Sequence, residues 1–230
     1  MDIIKNTNKI LNEIKLECDR VGRDFNDITI IAASKTRDID TINYLIENTP
    51  IKICGENKVQ EFNSKYTDNT KVDWHFIGQL QTNKVKYLIG KVSLIHSVDR
   101  YELAKKINDL SKKQNLVTNI LIEVNMGHET SKGGVEPSEL INFIKSLQEF
   151  ENINIKGIMS VLPNDTVLKI EPLYIQLHEL FLQLKGLKQS NFEAKYLSCG
   201  MSNDYLLSIK HGSNMVRIGT GIFGPRNYNI

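Results

Sequence analysis

The chain has 230 residues, enough for one large domain or two small ones, and a formal net charge of +2. Its basic residues are scattered along the sequence, so we expect no nucleic-acid partner. Three cysteines fit neither a zinc-binding pattern nor a disulfide framework, which is typical of a reducing cytoplasm. The N-terminus lacks an apolar signal core, and no apolar run approaches the ~20 residues of a membrane span. We therefore predict a cytoplasmic protein that does not insert into membranes.

The first segment carries isoleucines and a leucine at helical spacing, which predicts an N-terminal helix over about residues 2–20. After it, short apolar runs alternate with amphipathic segments. The apolar runs predict eight strands, at Ile28–Ser34, Ile51–Cys54, Val72–Ile77, Val92–His96, Thr118–Val124, Ile153–Ile158, Ala194–Ser198 and Asn214–Ile218. The segments between them predict helices, at Ile39–Glu47, Lys58–Lys65, Asn83–Leu88, Tyr101–Gln114, Pro137–Phe150, Leu168–Leu187 and Asp204–Lys210.

Strands that alternate with helices form βαβ units around a parallel sheet, and eight such units close into a (β/α)8 TIM barrel. A barrel of this kind takes about 250 residues, so we expect residues 1–230 to form a single domain. No linker or low-complexity tract suggests a second one. An open, doubly wound sheet is the alternative fold.

Helix-capping residues precede several predicted helices, namely Asp38, Thr82, Asp99 and Asn203-Asp204. Pro172 falls inside the sixth predicted interstrand helix. Because proline is tolerated best in a first helical turn, it predicts that this helix begins later than Leu168.

Lys35 follows the first predicted strand, at the end where α/β barrels place their chemistry. Apolar surroundings would disfavour its ammonium form and leave the neutral amine that attacks an aldehyde. A solvent-exposed lysine at a strand end is the alternative.

A glycine-rich turn follows the last predicted strand, at Gly219, Thr220 and Gly221. Glycines let backbone N–H groups approach phosphate oxygens, and the threonine adds a hydroxyl. Arg217 precedes this turn and, by strand alternation, points into the barrel. A simple closing turn and a salt-bridged core arginine are the alternatives. An amine, a phosphate site and an arginine together favour pyridoxal phosphate (PLP) held as a Schiff base.

Other polar residues follow neighbouring strands. Ser202 could donate to phosphate or cap the next helix, and Asn57 is a plausible contact to a cofactor ring. We interpret His75 as a hydrogen-bonded structural residue rather than a base, and Cys199 as a small core residue rather than a nucleophile. Lys132 lies in a long loop after the fifth strand that could act as a lid, where it is either an anion contact or a solvated side chain. No histidine has partners at metal-ligand spacing, so we assign no metal site.

The chain resembles the pyridoxal-phosphate homeostasis proteins, small PLP-binding barrels similar to the N-terminal domain of alanine racemase. The resemblance runs from about residue 5 to 226 and includes five motifs, at residues 33–36, 55–61, 74–84, 198–204 and 216–224. It departs from the family pattern at Gln79, where we expect proline, and at Gly221, where we expect alanine.

The resemblance implies that Lys35 is the Schiff-base lysine and that Arg217 contacts the pyridine nitrogen. It implies phosphate contacts from Ser202, Gly219 and Thr220, and it places Asn57 beside the ring. It further implies a barrel without the racemase's C-terminal β domain.

The family's implied role is to hold PLP and exchange it, with PLP-dependent apo-enzymes as possible recipients and without robust turnover of a substrate. An amino-acid racemase is the alternative, and it needs a base on each face of the cofactor. Racemases take their second base from the extra domain of a partner subunit. A local tyrosine such as Tyr205 or Tyr228 could substitute for it. A plain interaction scaffold is a third reading. No strong apolar seam is visible, so we expect a monomer.

Overall fold

The computed structural model describes residues 2–68, 71–127 and 133–225. These residues contain eight strands, all paired in parallel and in chain order, with the last strand paired to the first. The strands are β1 Thr29–Ala33, β2 Ile53–Glu56, β3 Asp73–Phe76, β4 Leu94–Val98, β5 Thr118–Glu123, β6 Ile153–Met159, β7 Phe192–Met201 and β8 Met215–Ile218. The closed barrel confirms the predicted (β/α)8 fold and excludes the open sheet.

Eight α-helices occur among the described residues: α1 Ile3–Val21, α2 Ile39–Asn48, α3 Val59–Lys65, α4 Tyr101–Lys113, α5 Leu140–Ser146, α6 Val167–Leu184, α7 Tyr205–Lys210 and α8 Thr220–Phe223. The β3–β4 connection is a 3₁₀ helix, Thr82–Tyr87, and α5 is preceded by a short 3₁₀ turn, Pro137–Glu139. A 3₁₀ helix rises about 2.0 Å per residue rather than 1.5 Å, so a short segment spans more of the barrel height. Within the described ranges, no helix is long and apolar enough to cross a membrane.

Alternation along the strands divides the apolar side chains into two cores. One small cluster fills the barrel interior, with Ile31, Leu94, Leu121, Met159 and Met215. The larger cluster packs the outer faces of the strands against the helices. Closer to the C-terminal ends of the strands, the interior becomes polar, and this polar layer supports the site.

Pro172 lies inside α6, in its second turn, so the prediction of a later helix start is wrong. The proline cannot donate to the carbonyl of Leu168, one turn earlier. Leu168 is 85% exposed, and water can bond the carbonyl there, so the helix begins at Val167 despite the proline.

Of the predicted caps, Asp38 is confirmed, because its side chain accepts from the Thr41 N–H at the start of α2. The predictions for Thr82 and Asp99 are wrong. Thr82 is the first residue of the 3₁₀ helix rather than its cap. Asp99 lies one residue before the N-cap position of α4 and pairs with Arg100 at 2.5 Å.

Candidate functional site

Lys35 sits in a tight turn directly after β1, closed by a 3.0 Å hydrogen bond from the Arg37 N–H to the Ser34 carbonyl. The following residue, Thr36, has a left-handed backbone with φ of +66°. Such a conformation is unfavourable for a β-branched residue, so surrounding contacts must hold it. The turn fixes Lys35, half-buried, at the C-terminal end of the barrel.

A buried lysine on α3 stabilises this turn through hydrogen bonds. Lys65, at the end of α3, donates to the Ser34 carbonyl at 3.0 Å. It also donates to one oxygen of Glu56 and one of Glu61, each at 2.8 Å. Glu61 in turn accepts from the Thr36 N–H, which stabilises the left-handed residue. The three acceptors use all the hydrogens of the Lys65 ammonium.

Glu56 is fully buried at the end of β2, and its Oε1 also accepts from the Ser34 hydroxyl at 2.6 Å. Burial raises the pKa of this carboxyl, while hydrogen bonding and charge from Lys65 act against the shift. Its Oε2 is buried without a hydrogen-bond partner among the described residues. The sequence analysis missed this network. The only local signal is the i,i+4 spacing of Glu61 and Lys65.

One cavity of about 650 Å³ opens beside this turn, within the range of cofactor pockets. Five of the six residues predicted to bind the cofactor line it: Lys35, Ser202, Arg217, Gly219 and Thr220. The cavity is walled on its other side by the β6–α6 loop and the start of α6. The fold therefore brings together residues from the two ends of the sequence.

The turn after β8 is held by a serine from the turn after β7. The Ser202 hydroxyl oxygen accepts from the Gly219 N–H at 3.1 Å and from the Gly221 N–H at 3.2 Å. Its own hydrogen remains available for an acceptor in the cavity. Ser202 does not cap α7. Asp204 holds the N-cap position, but its side chain makes no capping hydrogen bond, so the predicted cap is wrong. A Cβ on Gly221 would lie 2.9 Å from Ile218 Cγ2, so glycine suits this position.

Arg217 points into the barrel interior and is 4% exposed. Its Nη1 donates to the carbonyl and hydroxyl of Ser198, at 2.9 and 2.7 Å, and its Nη2 donates to the Ser160 carbonyl at 2.9 Å. No carboxylate among the described residues forms a salt bridge with it, so a salt-bridged core arginine is wrong. Burial lowers its pKa, although a guanidinium stays charged in proteins. Two of its five N–H donors have no acceptor within the described ranges.

Asn57 follows β2 at the same end of the barrel but is not among the residues that line the cavity. Its side-chain Oδ1 is buried and has no partner in the described part of the chain. The neighbouring loop packs tightly on it, because a Cβ on Gly78 would lie 2.2 Å from the Asn57 carbonyl oxygen. The Gly78 loop therefore holds Asn57 at this end of the barrel, where its Oδ1 has no hydrogen-bond partner among the described residues.

The predictions for three further residues, His75, Cys199 and Lys132, have different outcomes. His75 is buried and hydrogen-bonded, as predicted, with Nδ1 3.0 Å from Nε2 of His96. Burial raises the pKa of the Cys199 thiol to about 12, so its reactive thiolate is scarce at neutral pH. Lys132 and the middle of the proposed lid, residues 128–132, lie outside the described residues. The described residues contain no group of three or more His, Cys, Asp or Glu side chains that could hold a metal ion.

Glu123, at the end of β5, is a second group that sequence reasoning missed. Burial, and then the charge of Asp99, raise the pKa of this carboxyl to about 7, while Arg217 acts in the opposite sense. A carboxyl with this pKa is partly protonated at neutral pH. An acid at the end of an apolar strand is the signal that could have indicated it.

Comparisons with known proteins agree with this geometry. A family model described as the alanine racemase N-terminal domain matches residues 45–227. A pyridoxal phosphate homeostasis protein from Aquifex aeolicus is 41% identical over 99% of this chain and 100% of its own length. The protein of the same name from Haemophilus influenzae is 34% identical, over 100% of this chain and 98% of its own.

Among solved structures, PipY of Synechococcus elongatus PCC7942, determined with PLP bound, is similar to this fold with a TM-score of 0.83. It is 25% identical in sequence, and the superposition covers 97% of this chain and 100% of PipY. The family model covers most of the chain, and the relatives match it from end to end. The chain therefore belongs to the pyridoxal phosphate homeostasis protein family, with the fold of the alanine racemase N-terminal domain.

Proposed function

We propose that this protein binds PLP through Lys35 and exchanges it with other proteins, as part of PLP homeostasis. The observation that carries the proposal is the single cavity that joins Lys35 to Arg217 and to the Ser202–Gly219 turn. The names of its relatives and the PLP bound to PipY support the same ligand.

The residues present fit PLP in both polarity and size. The Ser202 hydroxyl and the Thr220 side chain offer hydrogen-bond donors to the phosphate at one end of the cavity. The unused donors of Arg217 match a pyridine nitrogen that accepts a hydrogen bond. The unsatisfied Oδ1 of Asn57 supplies a further polar atom near the same end of the barrel.

When bound, PLP supplies an aldehyde. Lys35 would hold this aldehyde carbon covalently through its neutral amine, with release of one water and no change of oxidation state. An incoming amine would take the place of Lys35 on this carbon and return the lysine to its amine form. The turn from Ser34 to Arg37, held by Lys65, keeps the amine in place for both directions.

The chemistry of Arg217 favours exchange of PLP over catalytic turnover of a substrate. A charged guanidinium that donates to the ring nitrogen keeps this nitrogen unprotonated, so the ring withdraws electrons weakly. A weak electron sink disfavours loss of a proton from a bound amino acid. We therefore propose a carrier or regulator without robust enzymatic activity.

The racemase alternative needs a second base opposite Lys35. Tyr205 lines the same cavity as Lys35, but its hydroxyl already donates to Glu13 on α1. Burial, and then the hydrogen bond to Glu13, raise the pKa of Tyr205, so its phenolate, the form that could act as a base, is scarce at neutral pH. Tyr228 lies outside the described residues. Racemisation of a common amino acid, abolished by Lys35→Ala, would favour the alternative.

We further propose that the recipients are PLP-dependent apo-enzymes in the cytoplasm and that the protein acts as a single-domain monomer. The three cysteines are unpaired and buried, as suits a reducing compartment. Sedimentation of the protein with and without PLP tests the monomer.

The first test is an absorption spectrum of the purified protein with PLP, before and after borohydride, followed by peptide mapping. We expect a visible band that borohydride bleaches and a pyridoxyl group on Lys35. Lys35→Ala should lose the band, whereas Lys113→Ala, at an exposed position on α4, should keep it. A protein that stays colourless and unlabelled with PLP would contradict the proposal.

A further inference from the structure

A continuous series of hydrogen bonds crosses the barrel interior beneath the proposed ring site. Arg217 Nη1 donates to the Ser198 hydroxyl at 2.7 Å, and this hydroxyl lies 3.2 Å from Nδ1 of His96. His96 Nε2 is 3.0 Å from Nδ1 of His75. We name Arg217, Ser198, His96 and His75 the interior network. Its four members come from four strands, β8, β7, β4 and β3.

The network ends near the opposite end of the barrel. Nε2 of His75 faces the Asp73 carboxylate, with 4.0 Å between Nε2 and Oδ2. Asp73 is the first residue of β3 and is exposed to solvent, whereas His96 and Ser198 are fully buried. The interior network thus begins beside the cavity and ends at an anionic group on the far face.

With His96 Nδ1 as the acceptor of the Ser198 hydrogen, the direction of every hydrogen bond follows from Arg217. A guanidinium can only donate, so the Ser198 oxygen accepts from Arg217 and is left with its own hydrogen to donate. The nearby acceptor is His96 Nδ1, which places the His96 hydrogen on Nε2. His96 Nε2 then donates to His75 Nδ1, and the His75 hydrogen on Nε2 points towards Asp73.

Both imidazoles are neutral in this arrangement. Burial lowers the pKa of His96 well below its ordinary value, and the charges of His75 and Arg217 add to the shift. Burial lowers the pKa of His75 to about 4, against the opposing charge of Asp73. A neutral imidazole has one donor and one acceptor, which the series requires at each step.

We propose that His96, acting through Ser198, is a positioning residue that fixes the guanidinium of Arg217, so that its unused N–H donors face the PLP ring nitrogen. The inference rests on the proposed function. Two backbone carbonyls also accept from Arg217, but the Ser198 hydroxyl is its only side-chain partner within the described ranges. His96 holds this hydroxyl in the one rotamer that accepts from Arg217 and donates onward.

The first experiment uses the cofactor-free protein. Nitrogen-15 NMR of the imidazoles at pH 7 should show the Nε2–H tautomer for both His75 and His96, assigned with the single variants His75→Phe and His96→Phe. A hydrogen on Nδ1 of His96 would overturn the proposed direction, since Ser198 could then not donate to it.

The second experiment measures PLP affinity and the nitrogen-15 shift of labelled PLP in variants. Ser198→Ala and His96→Phe should weaken PLP binding about five- to tenfold and move the pyridine-nitrogen resonance. His96→Asn should retain near-normal values, because its side-chain carbonyl can replace Nδ1 as the acceptor from Ser198. Ser111→Ala is the matched control, since it removes a buried hydroxyl bonded at 2.7 Å to Thr118, outside the interior network.

A purely structural role predicts a different pattern. Ser198→Ala and His96→Phe would then lower stability as Ser111→Ala does, with PLP affinity and the nitrogen resonance as in the wild type. This result would overturn the inference and leave the proposed function intact. A wild-type protein that binds no PLP would overturn the proposed function, and with it any role of His96 towards the cofactor, whatever its tautomer.

Discussion

Burial controls the protonation of single side chains around the cavity. Glu123 has a pKa raised to about 7, and the neighbouring carboxylate of Asp99 disfavours its charge further. Two buried histidines, in contrast, are held neutral. Among the described residues of the polar interior, Arg217 therefore stays positively charged, whereas Glu123 is an acid that titrates near neutral pH.

The raised pKa of Glu123 predicts a loss of stability with rising pH. The native state binds more protons than the unfolded state between the ordinary carboxyl pKa and about 7, so the free energy of unfolding falls as pH rises through this window. Glu123→Gln removes the buried charge. We expect it to stabilise the cofactor-free protein relative to wild type by on the order of 2 kcal/mol at pH 8 and by little at pH 4.5.

Urea unfolding of both proteins at the two pH values measures this difference. Glu149→Gln, at an exposed position, is the control and should show no such pH-dependent gain. An equal gain for Glu123→Gln at both pH values would show that its charge is not the cause.

Three elements, β1, β2 and α3, are joined beneath Lys35 by one buried ammonium. Lys65 on α3 contacts Glu56 on β2 and the Ser34 carbonyl after β1, and none of these contacts reaches the cavity. Removal of one partner from a buried ion pair leaves the other without compensation, which is more costly than loss of an exposed pair. The position of Lys35 thus depends on a helix that does not line the cavity.

Lys65→Met keeps the length of the side chain but removes its charge. We expect a loss of about 3 kcal/mol in the free energy of unfolding, because Glu56 stays buried without its partner. We also expect weaker PLP binding, because the turn that carries Lys35 loses its support. Lys105→Met, which breaks an exposed 2.7 Å pair with Asp109, should change neither quantity appreciably. Equal effects of the two substitutions would contradict the bracing role.

The order of the elements was predictable because strand and helix periods differ and alternate along the chain. Five of the six proposed cofactor residues could be expected at one cavity, because each lies in a short motif at the end of a strand. The interior network was not, since its partners are far apart: His96 and Ser198 are 102 positions apart in sequence. The predicted start of α6 was wrong because solvent around the exposed Leu168 compensates for the hydrogen bond that Pro172 cannot make. Such compensation depends on the tertiary structure.

Because the barrel is closed, the two ends of the described chain lie next to each other. β1 pairs with β8, and α1 packs on α7 and α8, which follow the two turns that we propose as the phosphate site. Arg23, just after α1, donates to the carbonyls of Ile209 and Ser213, both at 2.7 Å. The N-terminal helix therefore supports the loops that β7 and β8 place at the cavity.

Arg23→Met should destabilise the whole barrel. Hydrogen bonds from a charged donor to buried carbonyls contribute roughly 1.5–3 kcal/mol each, so we expect a loss of about 2 kcal/mol or more in urea unfolding. Arg20→Met is a matched control, because Arg20 is more exposed and, among the described residues, bonds only Glu17, one turn earlier on α1. Unfolding should remain a single transition at every spectroscopic probe. A separate early transition would show that α1 detaches on its own.

The burial of every cysteine has a practical consequence. Cys18 and Cys54 are fully buried and Cys199 is 1% exposed, so the folded protein presents no accessible thiol. Met201, in contrast, is 40% exposed at the rim of the cavity. A cysteine substituted there would be the single site open to a thiol-reactive dye. The dye would report cofactor loading and release in real time, and the residues of the barrel interior would all be kept.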